Sequence, residues 1–302
     1  MDFENFLGYF VSGLTRGSIY ALIALGYTMV YGIIQLINFA HGEIYMIGAF
    51  VALIVSGVLT IYGFSGVSIL VLAGLIAMIY AAAYGYTLER IAYRPLRNAP
   101  RLSALISAIG MSLFLQNYVL LAQTPDFLRF PQLIPDFEIL QSISRIVGSG
   151  EVVILITSAV SMVGLTLLIK YSKIGKAMRA TQQDMIMARL VGINVDRVIS
   201  VTFIIGSVLA AIGGILVGSY IGQINFYIGF MAGVKAFTAA VLGGIGNIPG
   251  AVLGGLILGL AESLAAGYIS SAYEDVFAFG VLVLILILRP SGLLGKAVKQ
   301  KV

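Results

Sequence analysis

The chain has 302 residues, 60% of them hydrophobic and only 10% charged, with a mean hydropathy of +1.03, whereas about a quarter of the residues in a soluble domain are charged. Its net charge of +5 is spread through short loops between apolar runs, which excludes a nucleic-acid-binding face. The lack of cysteine and the single histidine exclude disulfides, thiolate chemistry and Cys-rich or HExxH metal sites. What remains is an all-α, polytopic transmembrane helix bundle of about 8–10 spans, forming one domain over residues 1–302 in a lipid bilayer.

A helix needs about 20 apolar residues to cross a hydrocarbon core of roughly 30 Å. Spans are therefore expected near residues 9–34, 44–62, 67–88, 102–122, 152–169, 198–221, 230–245, 248–267 and 273–288. The opening MDFENF is acidic and has no basic n-region, so the first apolar run is expected to stay in place as a span.

At the junction of the first two spans, INFAHGE places Asn38, His41 and Glu43 together. Ionisable residues at membrane depth are costly, which makes them functional candidates. One His and one Glu fall short of the three protein ligands of a zinc hydrolase, and no metal is expected on the chain. Two readings stand: a His and Glu proton relay, or polar groups that hydrogen-bond helix ends and fix a turn at the inner interface. In the fourth span Gln116 and Asn117 are expected to face the bundle interior, bridging helices or lining a path. The loop at 123–151 carries Pro125, Pro131 and Pro135 with Phe127, Phe130 and Phe137. Its length suits an external cap or docking ledge as well as a plain surface loop.

The longest polar stretch runs from Lys170 to Arg197, with six basic residues against Asp184 and Asp196. Thr181 followed by Asp184 resembles a capping box and Gly192 is a natural stop, so a short helix is expected over about 182–191. That helix shows Met185, Ile186, Met187, Leu190 and Val191 beside Arg179, Asp184 and Arg189. A greasy helix between two spans invites a partner; the competing reading is a solvated loop on the headgroups.

Beyond it, Gly214, Gly218 and Gly222 form one GxxxGxxxG series and Gly246, Gly250 and Gly254 another. Each is expected to line one helix face for close packing, or else a passage. The segments at 230–245 and 248–267 are short and separated only by GGIGNIPG, which fits two spans or one re-entrant hairpin. Within them Lys235 and Glu262 have the right signs to pair, unless Lys235 snorkels to the outer interface.

Three segments hold 14 of the 18 Lys and Arg: Arg90 to Arg101, Lys170 to Arg197, and Arg289 to Lys301. The positive-inside rule puts all three in the cytoplasm. The acidic groups Asp2, Glu4, Asp126, Asp136, Glu138, Glu151, Glu274 and Asp275 then lie outside, and nine crossings place the N-terminus outside and the C-terminus inside. A phosphate loop needs GxxxxGK followed by Ser or Thr. Here Lys176 is followed by Ala177, and the position five before Gly175 is Lys170. The chain binds no nucleotide on that ground, and it contains no nucleophile and base constellation, so no catalytic residue and no enzyme activity are expected.

Four blocks in order make the chain specific: GSIYALIALGYTMVYGIIQLINFAHGEIYMIGAF, ERIAYRPLR, RATQQDMIMARLVGINVDRVI and GFMAGVKAFTAAVLGGIGNIPGAVLGGLILGLAE. Together they resemble the LivH-type permeases of high-affinity branched-chain amino acid ABC transporters, over nearly the whole chain. The resemblance implies a multi-pass subunit of the bacterial inner membrane that moves leucine, isoleucine or valine inward. Implied partners are a second, LivM-like permease, two cytoplasmic ATPase subunits that use ATP and Mg, and a periplasmic amino-acid-binding protein. It implies no cofactor on this chain. The family's fold is similar to that of type II importers, whose spans surround a path at the subunit interface.

In such importers the ATPases grip a cytoplasmic coupling helix, often marked EAA-x3-G. Ala188 and Gly192 match the Ala-x3-Gly part, while the acid lies at Asp184. The coupling set is thus Arg179, Asp184, Ala188, Arg189 and Gly192, and the path or gate candidates are Asn38, His41, Glu43, Asn117, Lys235 and Glu262. The alternatives are import of urea, amides or other amino acids, or an ion-coupled carrier or channel built on His41, Glu43, Lys235 and Glu262.

Overall fold

A computed structural model describes residues 3–97, 99–134 and 147–295. Pro135, Asp136, Phe137, Glu138 and Arg145 of the 123–151 loop, and Lys296, Lys299 and Lys301, lie outside the described residues, as do Met1 and Asp2. The helices are α1 (Phe3–Ile34), α2 (His41–Ile61), α3 (Val67–Leu88), α4 (Arg101–Ala122), α5 (Ser149–Tyr171), α6 (Lys173–Gln183), α7 (Met185–Leu190), α8 (Val195–Ile221), α9 (Ile228–Gly243), α10 (Ile248–Tyr268) and α11 (Glu274–Leu288). After α3 the chain continues through a wide π-turn, Glu89–Tyr93, and a tight turn, Arg94–Leu96. Two short strands, β1 (Leu128–Arg129) and β2 (Gln223–Ile224), pair antiparallel and tie the loop after α4 to the loop after α8.

Among the described residues eight helices are long and apolar enough to cross a membrane: α1 to α5, α8, α10 and α11, with α3 and α11 extended by their adjoining turns. The ninth expected span is α9, whose 16 residues rise about 24 Å, short of a full crossing by itself. It runs antiparallel to α10 through a turn at 244–247, so 230–267 is a pair of helices of unequal length.

α1 and α8 are buried over most of their length, whereas α5 and α11 present most of their surface outward. The most extensive helix contact joins α1 to α10. Gly13 and Gly17 of α1 face Gly255 and Gly259 of α10 at backbone distance: a Cβ on Gly17 would lie 2.8 Å from the Leu256 Cα, and one on Gly13 2.9 Å from the Leu260 Cα. Lipid tails are as apolar as leucine, so helices in a membrane associate through such close packing rather than through the hydrophobic effect. Gly17→Leu is expected to force the pair apart and lower stability by about 1–3 kcal/mol, read as thermal denaturation in detergent. Gly8→Leu, with nothing within 4 Å of its added Cβ, is the control that should leave the transition unmoved.

Two glycines of the expected series act differently from the expectation. Gly222 has φ +76° and ends α8 in the left-handed conformation, and Gly246, φ +89°, belongs to the turn before α10. Their missing Cβ serves backbone geometry there, not helix packing. Gly214 and Gly218 do pack, the first against the backbone of Ala49 and the second under the buried ring of Phe130.

The molecule has two chemically distinct ends. At one, Arg97 bonds Asp196 at the start of α8, Gly32 lies beside Gln182 and Gly246, and the Asn247 amide donates to the Leu294 carbonyl at 2.7 Å. The three basic segments thus meet there in space. At the other end are the β1–β2 ribbon and the first turns of α5 and α11, where Glu151 accepts from the Tyr220 hydroxyl at 3.0 Å and Glu274 from Arg16 at 2.8 Å.

Candidate functional site

At the basic end, the starts of α6, α7 and α8 are built by side-chain caps. Ser172 accepts from the Gly175 N–H, Asp184 from the Ile186 and Met187 N–H groups at 2.7 and 3.0 Å, and Asn194 from the Arg197 N–H. Each satisfies an amide that lacks an intrahelical acceptor. The single helix expected over 182–191 is therefore two, because Asp184 is extended (φ −159°, ψ 113°) and starts a new helix. Thr181 is no cap: it is buried inside α6 and its hydroxyl donates to the Ala177 carbonyl at 2.8 Å. Gly192 does end α7, at φ +86°, with the N–H groups of Gly192 and Ile193 returning to the carbonyls of Arg189 and Ala188.

This folding turns α7 into a small presented surface. Ala188 is buried toward the bundle, while Ile186, Met187, Leu190 and Val191 are between 59% and 75% exposed. Arg189 is also exposed. Arg179 is placed otherwise: its guanidinium donates to the Ile169 and Lys170 carbonyls and so closes the end of α5.

At the same end, Glu89 is fully buried in the π-turn. Its carboxylate accepts from Ser200 of α8 at 2.7 Å, from Arg94 at 3.1 Å and from Arg97, which also bonds Asp196. Sequence reading used Arg94 and Arg97 only as markers of sidedness, because Glu89 lies five and eight residues before them, off the i,i+4 spacing of a regular helix. A π-turn and a tight turn bring them together. Glu89→Gln is expected to lower stability by about 2 kcal/mol, the value of hydrogen bonds to a charged group. Ser200→Ala should cost less, as measured by chemical denaturation in detergent.

The second cluster begins α2. The chain leaves α1 at Ile34, turns at Gln35 (φ +54°) and stays non-helical to Ala40. α2 then starts at His41, inside the bundle. Asn38, His41 and Glu43 are all buried in the bundle: His41 packs against Gly26, roughly 12 Å back along α1 from its end, and against Gly206 of α8. At Gly26 only glycine leaves room for the ring, whereas a Cβ on Gly206 would lie 3.5 Å from it, at ordinary contact distance. The Asn38 Oδ1 accepts from the Tyr93 hydroxyl at 2.9 Å and Glu43 from the Ser112 hydroxyl at 3.0 Å. His41 stands edge-on to Tyr27, ring centres 5.0 Å apart. No hydrogen bond joins His41 to Glu43 directly among the described residues; the Nε2 of His41 and one Glu43 oxygen are without a partner.

Asn117 does not face the interior. It is exposed on the outside of α4 and donates to its own helix, to the Leu113 carbonyl at 2.7 Å. Neighbouring positions on a helix point about 100° apart, and it is Gln116 that is buried.

The third cluster lies in the ribbon-side half. Lys235 of α9 approaches Glu262 of α10 at 3.2 Å, Glu274 at 3.4 Å and Asp275 at 2.8 Å, so it is paired inward and does not snorkel. The Tyr20 hydroxyl donates to Glu262 at 2.8 Å, and Arg16 shares Glu274 with the lysine. Glu274 and Asp275 enter a sequence reading only as external acids; their partners are too distant in the chain for spacing to reveal.

Residues 9–286 match the family model described as the permease component of the branched-chain amino acid transport system. The chain is similar to the high-affinity branched-chain amino acid transport system permease protein LivH of Salmonella typhimurium, 52% identical over 100% of this chain and 99% of that protein. It is 51% identical, at the same coverage, to LivH of Escherichia coli K12. To the corresponding permease protein BraD of Pseudomonas aeruginosa it is 50% identical, again over 100% and 99%.

Proposed function

The chain belongs to the family of branched-chain amino acid transport permeases, and from that premise we propose that it carries leucine, isoleucine and valine inward across the inner membrane as one subunit of an ATP-driven importer. The observation that carries the mechanism is α7, which holds four large apolar side chains out of the bundle at its basic end. Exposed apolar patches of this kind, rimmed by charge, mark protein interfaces. The basic end is cytoplasmic by the positive-inside rule, so the N-terminus is periplasmic, the C-terminus cytoplasmic, and the partner on α7 is an ATPase subunit.

Motion given to α7 has two routes inward. One is direct, through Gly192 and Asn194 into α8, which is buried at the centre of the bundle. The other runs from Asp196 and Ser200 through Arg97 and Glu89 into α3. A second permease of LivM type completes the passage, and a periplasmic binding protein delivers the amino acid at the ribbon end. ATP and Mg are handled by the two ATPase subunits.

The rival reading as an ion-coupled carrier needs titratable groups that communicate. His41 and Glu43 are not bonded to each other, and Lys235 is enclosed by three carboxylates. Reconstitution separates the two. Vesicles holding both permeases, the ATPases and the binding protein are expected to take up leucine only with ATP, and the tagged chain is expected to bring down two ATPases and a second permease. Uptake by this chain alone, abolished by an ionophore, would overturn the assignment.

A further inference from the structure

A cavity of about 360 Å³ opens in the ribbon-side half between α1, α2, α8, α9 and the first turn of α11, within the roughly 300–1,000 Å³ range of small-ligand sites. One wall is charged and carries Arg16, Lys235 and Glu274. The rest of the lining is mostly apolar, with Ile19, Val217, Ile228 and Met231 beside three tyrosines, Tyr20, Tyr45 and Tyr220. Resting on the transport reading above, we infer that this cavity binds a zwitterionic amino acid with an apolar side chain, its carboxylate on Arg16, its ammonium on Glu274 and its side chain against Val217, Ile228 and Met231.

Charge selects this class. The cluster behind the wall contains two cations and three carboxylates, Glu262 and Asp275 standing behind Glu274. A lone anion meets the carboxylates and a lone cation meets Arg16 and Lys235, whereas a zwitterion offers each wall group its opposite. Removing a charge from water is tolerable only when it is paired, so the two ends of the ligand must be matched together. Arg16 can do this without abandoning its helix: a guanidinium has five N–H donors, and its bond to Glu274 engages one of them. An uncharged polyol would lose more to the apolar wall than it gained from one row of donors. The cavity lies at the end opposite α7, where an amino acid released by the binding protein arrives.

The test uses the complete importer in lipid vesicles with photo-leucine, the diazirine analogue of leucine, followed by peptide mapping. The expected label falls on Val217, Ile228 or Met231 and is displaced by leucine. 4-Methylvalerate, which lacks the ammonium, and isoamylamine, which lacks the carboxylate, are expected to compete about 10- to 100-fold less well, the effect of losing one hydrogen bond to a charged group. Met231→Trp fills the cavity and is expected to remove the label and raise the KM for uptake more than it lowers kcat. Arg16→Lys, which keeps the charge but not the fork, should weaken labelling by about tenfold without loss of monodisperse protein. ATP-dependent uptake with the label elsewhere, or equal competition by either truncated analogue, overturns the inference and leaves the transport reading intact. A wild-type complex without ATP-dependent uptake overturns the transport reading, and the inference with it.

Discussion

Leu190→Asp is expected to abolish ATP-dependent leucine uptake while the chain remains in the membrane at its normal amount. The side chain is 74% exposed on α7 and contacts nothing that holds the bundle together, so its loss leaves the fold untouched. At an interface the same position changes sign: an aspartate must give up its water against an apolar partner. Losing a central apolar anchor costs about 2–4 kcal/mol, which weakens ATPase association at least about 30-fold. Co-purification of the ATPases and vesicle uptake should fall together. Gly192→Ala makes the useful comparison. Its added Cβ meets nothing within 4 Å, but φ +86° is a left-handed conformation that costs an L-residue roughly 1–2 kcal/mol. It should reduce coupling without ending it.

Lys235→Met is expected to have the largest effect on the fold itself. It leaves Glu262, which has no exposed surface, without its paired cation, while Arg16 still holds Glu274. Breaking a buried pair from one side costs about 3–5 kcal/mol, because the surviving charge stays buried and uncompensated. The variant should lose its monodisperse peak in detergent and denature at lower temperature. Lys235→Met combined with Glu262→Gln should recover much of that loss, since the amide still accepts from Tyr20 and carries no charge. Strictly additive losses would show that the two residues do not act as a unit. Asp275→Asn, at a half-exposed side chain, should change stability by less than about 1 kcal/mol.

What the sequence reveals here depends on chain distance. The 170–197 segment is legible because it is polar in an apolar chain, and the stop of its helix at Gly192 is legible because a left-handed turn wants glycine. Its start is missed by three residues: Thr181 and Asp184 are both good caps, and only the burial of Thr181 within α6 decides between them. Helix existence follows from apolar run length, yet α2 starts at His41 instead of 44 because the polar INFAHGE is buried, which hydropathy counts as loop. Arg16 with Glu274, and Gly17 with Leu256, are separated by nearly the whole chain, and no periodicity within one helix can announce them. The link from Glu89 to Arg94 and Arg97 is hidden for the opposite reason: these partners are near, but the π-turn changes the spacing.

The contact between α1 and α10 also sets a timetable. As the chain leaves the ribosome, the first helix comes out with Gly13 and Gly17 facing lipid and Arg16 without its carboxylate, and it stays so until residues 255–274 have been made. The bundle therefore cannot be closed progressively from its N-terminus. α10 and the first turn of α11 supply the last of the contacts made by α1. A chain ending before residue 255 would carry Arg16 and Lys235 without Glu262, Glu274 and Asp275, and an open seam along α1. The seam along α1 therefore closes only once α10 and the first turn of α11 are present.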